Sequence, residues 1–434
     1  MKKNTTYNYY SKLSFWTILF FALLVGCNKD DSDESPLLNP SSIKILQDDF
    51  SDRTLDLTPG DGVMLATYTT ADEKIIFVLM NNEAEIIWRK DFGLFAEVYF
   101  TVGEPLRYRI DQILYEGNGV FSISAVDFGG DARFLKINTQ GEIIFDENEF
   151  FTLTNGYYRY GMLLDTEQNY ISFGALGTGR AFLSKHAPNG DLIFRKIFVE
   201  SVDGSQAVTG CVETNSGELV LAGTFLPGAL SDTSPGFFIR KYSAAGDELW
   251  SKRYELDPLP VATNTSSLNA GYGKDLIQNP DGSFSFLLND PNQNADPSKA
   301  RLVKFSSEGD FVKEDFINLA STNLIGGHSV SLLGSIYQGT IGQSLTRKAD
   351  GTYMGIVNRY NESDSRSGSN LRTPHFPYIF ELNSGGDLVN MEFSDRVYSS
   401  FYTTCVTLSN GKTAIYGRII SIGEDSKPLI IIQE

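Results

Sequence analysis

The stretch Phe238-Ile239-Arg240-Lys241-Tyr242-Ser243-Ala244-Ala245-Gly246-Asp247-Glu248-Leu249-Trp250 decides the fold, because its grammar recurs along the chain. An apolar strand runs into a polar turn ending in glycine, and an acid opens the next strand. Phe134-Leu135-Lys136-Ile137 leads across Gln140-Gly141 to Glu142-Ile143-Ile144-Phe145, and Leu302-Val303-Lys304-Phe305 leads across Glu308-Gly309 to Asp310-Phe311-Val312. Further copies of this turn stand at Asn82-Glu83, Asn189-Gly190 and Gly385-Gly386. Alternation within the flanking runs has period two, so each is a strand with one face buried.

Upstream of each copy lies another tight turn, at Asp61-Gly62, Asn118-Gly119, Glu167-Gln168, Ser216-Gly217, Asp281-Gly282, Asp350-Gly351 and Asn410-Gly411. With the strand before it, each unit has four antiparallel strands, which is the blade of a propeller, and seven units make seven blades. The last unit ends at Leu429-Ile430-Ile431-Ile432-Gln433-Glu434 and lacks a fourth strand, whereas Ile43-Lys44-Ile45-Leu46-Gln47-Asp48-Asp49-Phe50 stands ahead of the first blade and matches Glu85-Ile86-Ile87-Trp88-Arg89-Lys90-Asp91-Phe92. The expectation is an all-β, seven-bladed β-propeller over residues 42–434, closed by that N-terminal strand, which removes two exposed sheet edges.

Composition agrees: 41% hydrophobic and 21% charged residues, with 40 Gly, 21 Tyr and 30 Phe, favour turns and aromatic strands. Residues 1–26 read as a signal peptide, with Lys2, Lys3 and Lys12 ahead of the apolar run Phe15 to Val25. They hold no acid, so the net charge of −18 becomes −21 without them. Such a surface repels phosphate backbones, and with Lys and Arg scattered singly no nucleic-acid partner is expected.

Leu24-Val25-Gly26-Cys27 resembles the lipobox of bacterial lipoproteins, which implies acylation of Cys27 and membrane attachment through the lipid. Residues 27–41 form an acidic, flexible tether whose Lys29-Asp30-Asp31-Ser32-Asp33-Glu34 is similar to the surface-export signal of Bacteroidota lipoproteins. That implies the outer membrane, facing the cell exterior, with the periplasmic face as the alternative. Units such as Ser243 to Trp250 resemble the repeat of PQQ-like and WD40-like propellers. The regular Trp of the quinoprotein dehydrogenases occurs here only as Trp88 and Trp250, and their adjacent cysteine pair is missing, so no quinone cofactor is implied. The same turn takes the place of the sialidase Asp-box but has no aspartate before its glycine, and the arginine cluster of a sialidase cannot be assembled from the spacing.

The turns between first and second and between third and fourth strands share one face of a propeller. The long segments 92–106, 226–235, 255–272, 289–298, 318–337 and 358–377 belong to the other, which marks that loop face for binding. There and at the starts of innermost strands stand Arg109, Asp111, Tyr158, Tyr160, Tyr272, Lys274, Tyr337, His375 and Phe401, whose aromatic area with polar rims suits a glycan or a protein partner. Cys211 and Cys405 each stand six residues before a first-turn Gly, where other units have Ile113, Leu276 and Leu345, and read as core. His186, His328 and His375 lack metal-ligand spacing, and the acids at 127–131 and 290–296 lack the EF-hand register, so no metal and no cofactor are expected. Gly174 to Gly179 has no helix N-terminus with which to hold phosphate.

The function these features imply is a non-catalytic surface lipoprotein that captures a glycan or peptide or serves as an accessory subunit of an outer-membrane protein complex. The alternative is a glycan hydrolase or lyase using Asp111 with Arg109 and Tyr160, which requires a second carboxylate such as Asp52 across the channel mouth.

Overall fold

Turn chemistry accounts for the local structure first. In a turn such as Asn138–Glu142, the Asn138 amide donates to the Glu142 carbonyl at 3.1 Å and the Gly141 amide to the Asn138 carbonyl at 2.9 Å. The same pair of bonds closes the other five-residue turns, from Asn81–Glu85 to Leu408–Lys412, whereas in blade 2 Gly117 pairs directly with Val120 across Asn118-Gly119. The opening residue often has a short polar side chain: Asn81, Asn138, Asp165 and Asn383 each accept two amides of their own turn through Oδ1. The fourth residue is left-handed, with φ of 70° at Gly141, 87° at Gly246 and 78° at Gly309, a conformation open to glycine without a Cβ clash. Ala84 and Gln168 adopt it as non-glycine exceptions, at 59° and 65°.

The computed structural model describes residues 43–45, 56–60, 62–68, 74–96, 107–127, 132–148, 157–176, 179–198, 205–226, 236–255, 276–288, 299–318, 337–362, 375–393, 400–419 and 427–433, and no helix occurs among them. Their strands form a seven-bladed β-propeller. Blade 1 runs Asp56–Gly60, Gly62–Tyr68, Lys74–Met80 and Ile86–Ala96, and blade 2 Arg107–Gly117, Val120–Asp127, Ala132–Asn138 and Ile143–Asn148. Blade 3 is Tyr157–Leu164, Tyr170–Leu176, Ala181–His186 and Leu192–Phe198, and blade 4 Ser205–Glu213, Leu219–Leu226, Gly236–Tyr242 and Glu248–Glu255. Blade 5 is Leu276–Gln278, Phe284–Leu288, Lys299–Phe305 and Phe311–Asn318, and blade 6 Tyr337–Arg347, Tyr353–Glu362, His375–Leu382 and Leu388–Phe393. Blade 7 takes Ser400–Thr407, Thr413–Ile419 and Lys427–Gln433, and its fourth strand is Ile43–Ile45 from the other end of the chain.

First strands of successive blades touch all the way round, and Ser400–Thr407 touches Asp56–Gly60, so the ring is closed. On the turn face, Asn82 of blade 1 also donates to Ser409 Oγ of blade 7 at 3.1 Å. Closure by the N-terminal strand agrees with the sequence pattern, but its register does not. Ile43 opposes Ile431, which pairs with Ile415, as Leu135 pairs with Ile123 in blade 2. Ile43 therefore takes the place of Asp146 in blade 2 and of Arg89 in blade 1, four residues beyond the match to Glu85. An even shift leaves alternation unchanged, so side-chain pattern cannot distinguish the two registers. Two long segments are also partly strand. Phe95 and Ala96 pair in parallel with Arg107 and Tyr108, joining blades 1 and 2, and Asn358 to Tyr360 pair with His375 to Pro377.

The core lies between blades. Met64, Phe77 and Leu79 of blade 1 pack with Ile113, Phe121 and Leu135 of blade 2, while Val63 and Val78 face Tyr416 and Ile430 of blade 7. Burying each such side chain contributes about 1.5–3 kcal/mol. Fourth-strand side chains also lock onto the turn of the next blade. Trp88 Nε1 donates to the Thr139 carbonyl at 2.7 Å, Phe194 lies against Gly246, and Trp250 lies against Gly309.

A Cβ at Gly309 would stand 2.5 Å from Trp250 Cζ3 in a left-handed residue. Gly309→Ala should lower the free energy of unfolding by about 2 kcal/mol or more, read from the urea midpoint. Gln168→Gly, which relieves a left-handed side chain on the solvent side of its turn, should raise it by about 0.5 kcal/mol. Equal responses at the two positions would contradict this account of the turns.

Candidate functional site

The innermost strands share one irregularity. Their pairing with the second strand skips a residue at Asp111 in blade 2, Tyr160 in blade 3, Thr209 in blade 4, Gln343 in blade 6 and Thr403 in blade 7. Each is a bulge standing eight residues before the left-handed residue of the first turn, namely Gly119, Gln168, Gly217, Gly351 and Gly411. Bulges of this kind re-aim a side chain and bend the strand, and they gather beside functional sites. Because the first strands form the inner ring, the five bulges make one tier of that ring, each at the same distance from its turn. Thr209 is 3% exposed, so at blade 4 the tier is enclosed.

Two of the sequence candidates, Asp111 and Tyr160, are bulge residues. Arg109 and Tyr158 stand two residues before them on the same strands, opposite Val126 and Ala175. Phe401 stands two residues before the Thr403 bulge, opposite Arg418. Tyr337 and His375 both stand at the loop-face end of blade 6 but on its first and third strands, with the second between them: Tyr337 opposes Glu362 and His375 opposes Tyr360. Tyr272 and Lys274 lie outside the described residues, as do Asp52, His328 and the acids at 290–296. Lys274 stands eight residues before Gly282, the bulge offset of the other blades. Thr209, Gln343 and Thr403 were not separable from the strand pattern alone; the signal for them is the fixed offset to the turn.

On the turn face, the polar groups are consumed by structure. Glu116 accepts from Lys136 at 3.0 Å, from Ser122 and from Tyr170, so that blades 2 and 3 share one polar pin. Burial, and then this carboxylate, push the Tyr170 hydroxyl well above the ordinary tyrosine range. Lys185 meets Asp165 at 2.8 Å with both side chains almost fully buried. Burial acts to raise the Asp165 carboxyl, yet the bonds from Lys185 and Asn169 outweigh it and hold Asp165 below its ordinary 3.8. Blade 6 has the same pair with signs exchanged: Lys348 opens its turn, as Asp165 does in blade 3, and meets Glu381 of the third strand at 3.1 Å.

A cavity of about 280 Å³ opens on this face between blades 4 and 5. Its charged groups are Lys241 and Glu218, which neutralise each other at 2.6 Å. His186 is buried with Nδ1 3.2 Å from the Gly190 carbonyl. Cys211 and Cys405 form no disulfide and are 6% and 1% exposed, and burial pushes the Cys211 thiol up, which makes it inert. No group of three or more His, Cys, Asp or Glu stands together for a metal ion among the described residues.

No protein-family model matches the chain, and no curated protein matches its sequence. Some solved structures are similar to it over most of the chain. They include Drosophila Plexin A in complex with Semaphorin 1b, at 9% identity and TM-score 0.44 over 92% of this chain and 88% of that one. A neuraminidase-like protein of a little yellow-shouldered bat isolate from Guatemala follows at 8%, TM-score 0.40, over 77% and 96%. The WD40 domain of SCAP from fission yeast matches at 11%, TM-score 0.37, over 88% and 81%. At such identities the likeness concerns the fold alone.

Lys185→Met strands a buried carboxylate and should cost about 3 kcal/mol. Asp165 is depressed on folding, so its contribution is present above pH 3.8 and lost as pH falls through the lower folded value. Asp165→Asn should accordingly flatten the acid limb of the stability profile below that pH, measured by urea unfolding. An unchanged limb would remove Asp165 from the acid response.

Proposed function

We propose that the protein is a non-catalytic binding module, carried on the outer membrane by a lipid at Cys27 with its loop face turned to the cell exterior. The observation that carries the binding reading is the tier of bulges at Asp111, Tyr160, Thr209, Gln343 and Thr403. By residue type the tier holds one acid, one phenol, one amide and two hydroxyls, that of Thr209 being buried. That set hydrogen-bonds hydroxyl-rich or amide-rich ligands, a glycan or a peptide segment, and the tyrosine adds a flat face for a sugar ring. A channel mouth flanked by Arg109, Tyr158 and Phe401 on the same strands extends the surface toward the loops.

The propeller supplies rigidity. Each ring residue is held by a strand paired along its length, so a ligand meets positions that need little ordering on binding. The same face also suits an accessory role on an outer-membrane protein, in which a protein loop occupies the mouth in place of a free ligand.

A glycan and peptide array with the mature chain, run alongside crosslinking from the native membrane, tests the reading. Asp111→Asn and Tyr160→Ala should each weaken retention of the captured ligand at least tenfold, with Tyr272→Ala and Phe401→Ala weaker in effect and the melting temperature of all four held within a few degrees. Loss of folding in the ring variants would assign the tier to the core. A stoichiometric membrane protein, with no glycan or peptide retained, would replace ligand capture by the accessory role.

A further inference from the structure

Among the described residues the exposed large apolar side chains follow a rule. Except for Ile197, they sit in the first residues of a fourth strand, directly after its turn: Ile86 and Ile87 in blade 1, Ile143 and Ile144 in blade 2, and so on to Val389 in blade 6. Exposure runs from 40% at Ile86 to 65% at Val389. Six blades thus carry an apolar point at the turn-face end of the outermost strand. Since the turns share one face, these points lie around one rim.

The seventh blade carries the chain itself. Its fourth strand is Ile43–Ile45, which pairs antiparallel with Lys427–Gln433 so that Ile43 lies toward Gln433, the turn-face end. The closing strand therefore starts on the turn-face side and runs toward the loop face. Cys27 is sixteen residues away along the chain, a reach of at most about 55 Å.

We infer that the turn face is the membrane-facing side and that its apolar rim rests on the bilayer carrying the Cys27 lipid; this rests on the lipid-anchor reading above. A rim of similar points in six blades matches a plane better than a protein partner, which would cover one sector. Each point adds a modest apolar contact, while the lipid supplies the attachment. Acids flank the points, Glu85, Glu142 and Asp310 among them, so the surface favoured is a zwitterionic one and anionic lipid weakens the contact. The loop face, with the bulge tier, then points away from the membrane.

The test uses the acylated mature chain in phosphatidylcholine vesicles. Cys211 and Cys405 are buried, so one added cysteine takes an environment-sensitive fluorophore selectively. Probes at Ile87→Cys and Val312→Cys should lose at least half their emission when the lipid is brominated, and a probe at Glu255→Cys, at the loop-face end of blade 4, less than one-tenth. Adding Ile143→Asp and Ile144→Asp should reduce the quenching at Val312→Cys at least twofold, which tethering alone would not produce. Anchored protein with equal quenching at all three positions, or more at Glu255→Cys, overturns the inference while the anchor stands. Absence of lipid on the N-terminal peptide, read by mass, and loss of vesicle flotation overturn the anchor and the inference together.

Discussion

The pairing of Ile43–Ile45 with Leu429–Ile431 is the constraint on which the rest of the molecule depends. It joins the two ends of a chain whose seven units otherwise touch only their neighbours, and so converts a row of blades into a ring. A closed ring has no terminal blade face to protect, and every apolar cluster finds its partner in the adjacent blade. The same pairing determines where the chain enters. Because fourth strands run from the turn face toward the loop face, the closing strand runs the same way.

Blade-to-blade contacts then transmit this order round the ring. Trp88, Phe194 and Trp250 each meet the turn of the following blade, and at Gly246 and Gly309 the glycine is both the residue that permits the turn and the space that admits the ring, while at Gly141 that space takes the Lys90 side chain. Polar pins supplement them. Tyr170 reaches Glu116 in the preceding blade, and Tyr353, at the corresponding start of the second strand in blade 6, reaches the Gln278 carbonyl of blade 5 at 3.1 Å. Asp165–Lys185 and Lys348–Glu381 occupy matching places with reversed sign, so in these two blades complementary charge holds the turn whichever partner supplies either sign.

Blade number and turn positions were legible in the sequence because they rest on chemistry that each unit repeats: a polar opening residue, a left-handed glycine and alternating strands. The closing strand was legible in kind but not in register, since Ile43 and Ile45 keep their faces under any even shift. The bulges were hidden for a related reason. One extra residue, as at Asp111 between Ile110 and Gln112, resets the alternation locally and resembles ordinary variation in a single unit. Only the shared offset from the turn separates it from noise. Asp111 and Tyr160 entered the candidate set through chemistry and position, whereas Thr209, Gln343 and Thr403 offered no such distinction.

Register at the closure is the most direct point at which to test the central claim. Paired cysteines would be introduced in the mature chain and crosslink formation followed by mass under mild oxidation. The ring as described predicts rapid bonding for Ile43→Cys with Ile431→Cys and little for Gln47→Cys with Ile431→Cys. The reverse preference would place the strand four residues away, in the register matched to Glu85, and absence of both crosslinks would mean that the N-terminal strand does not close the ring.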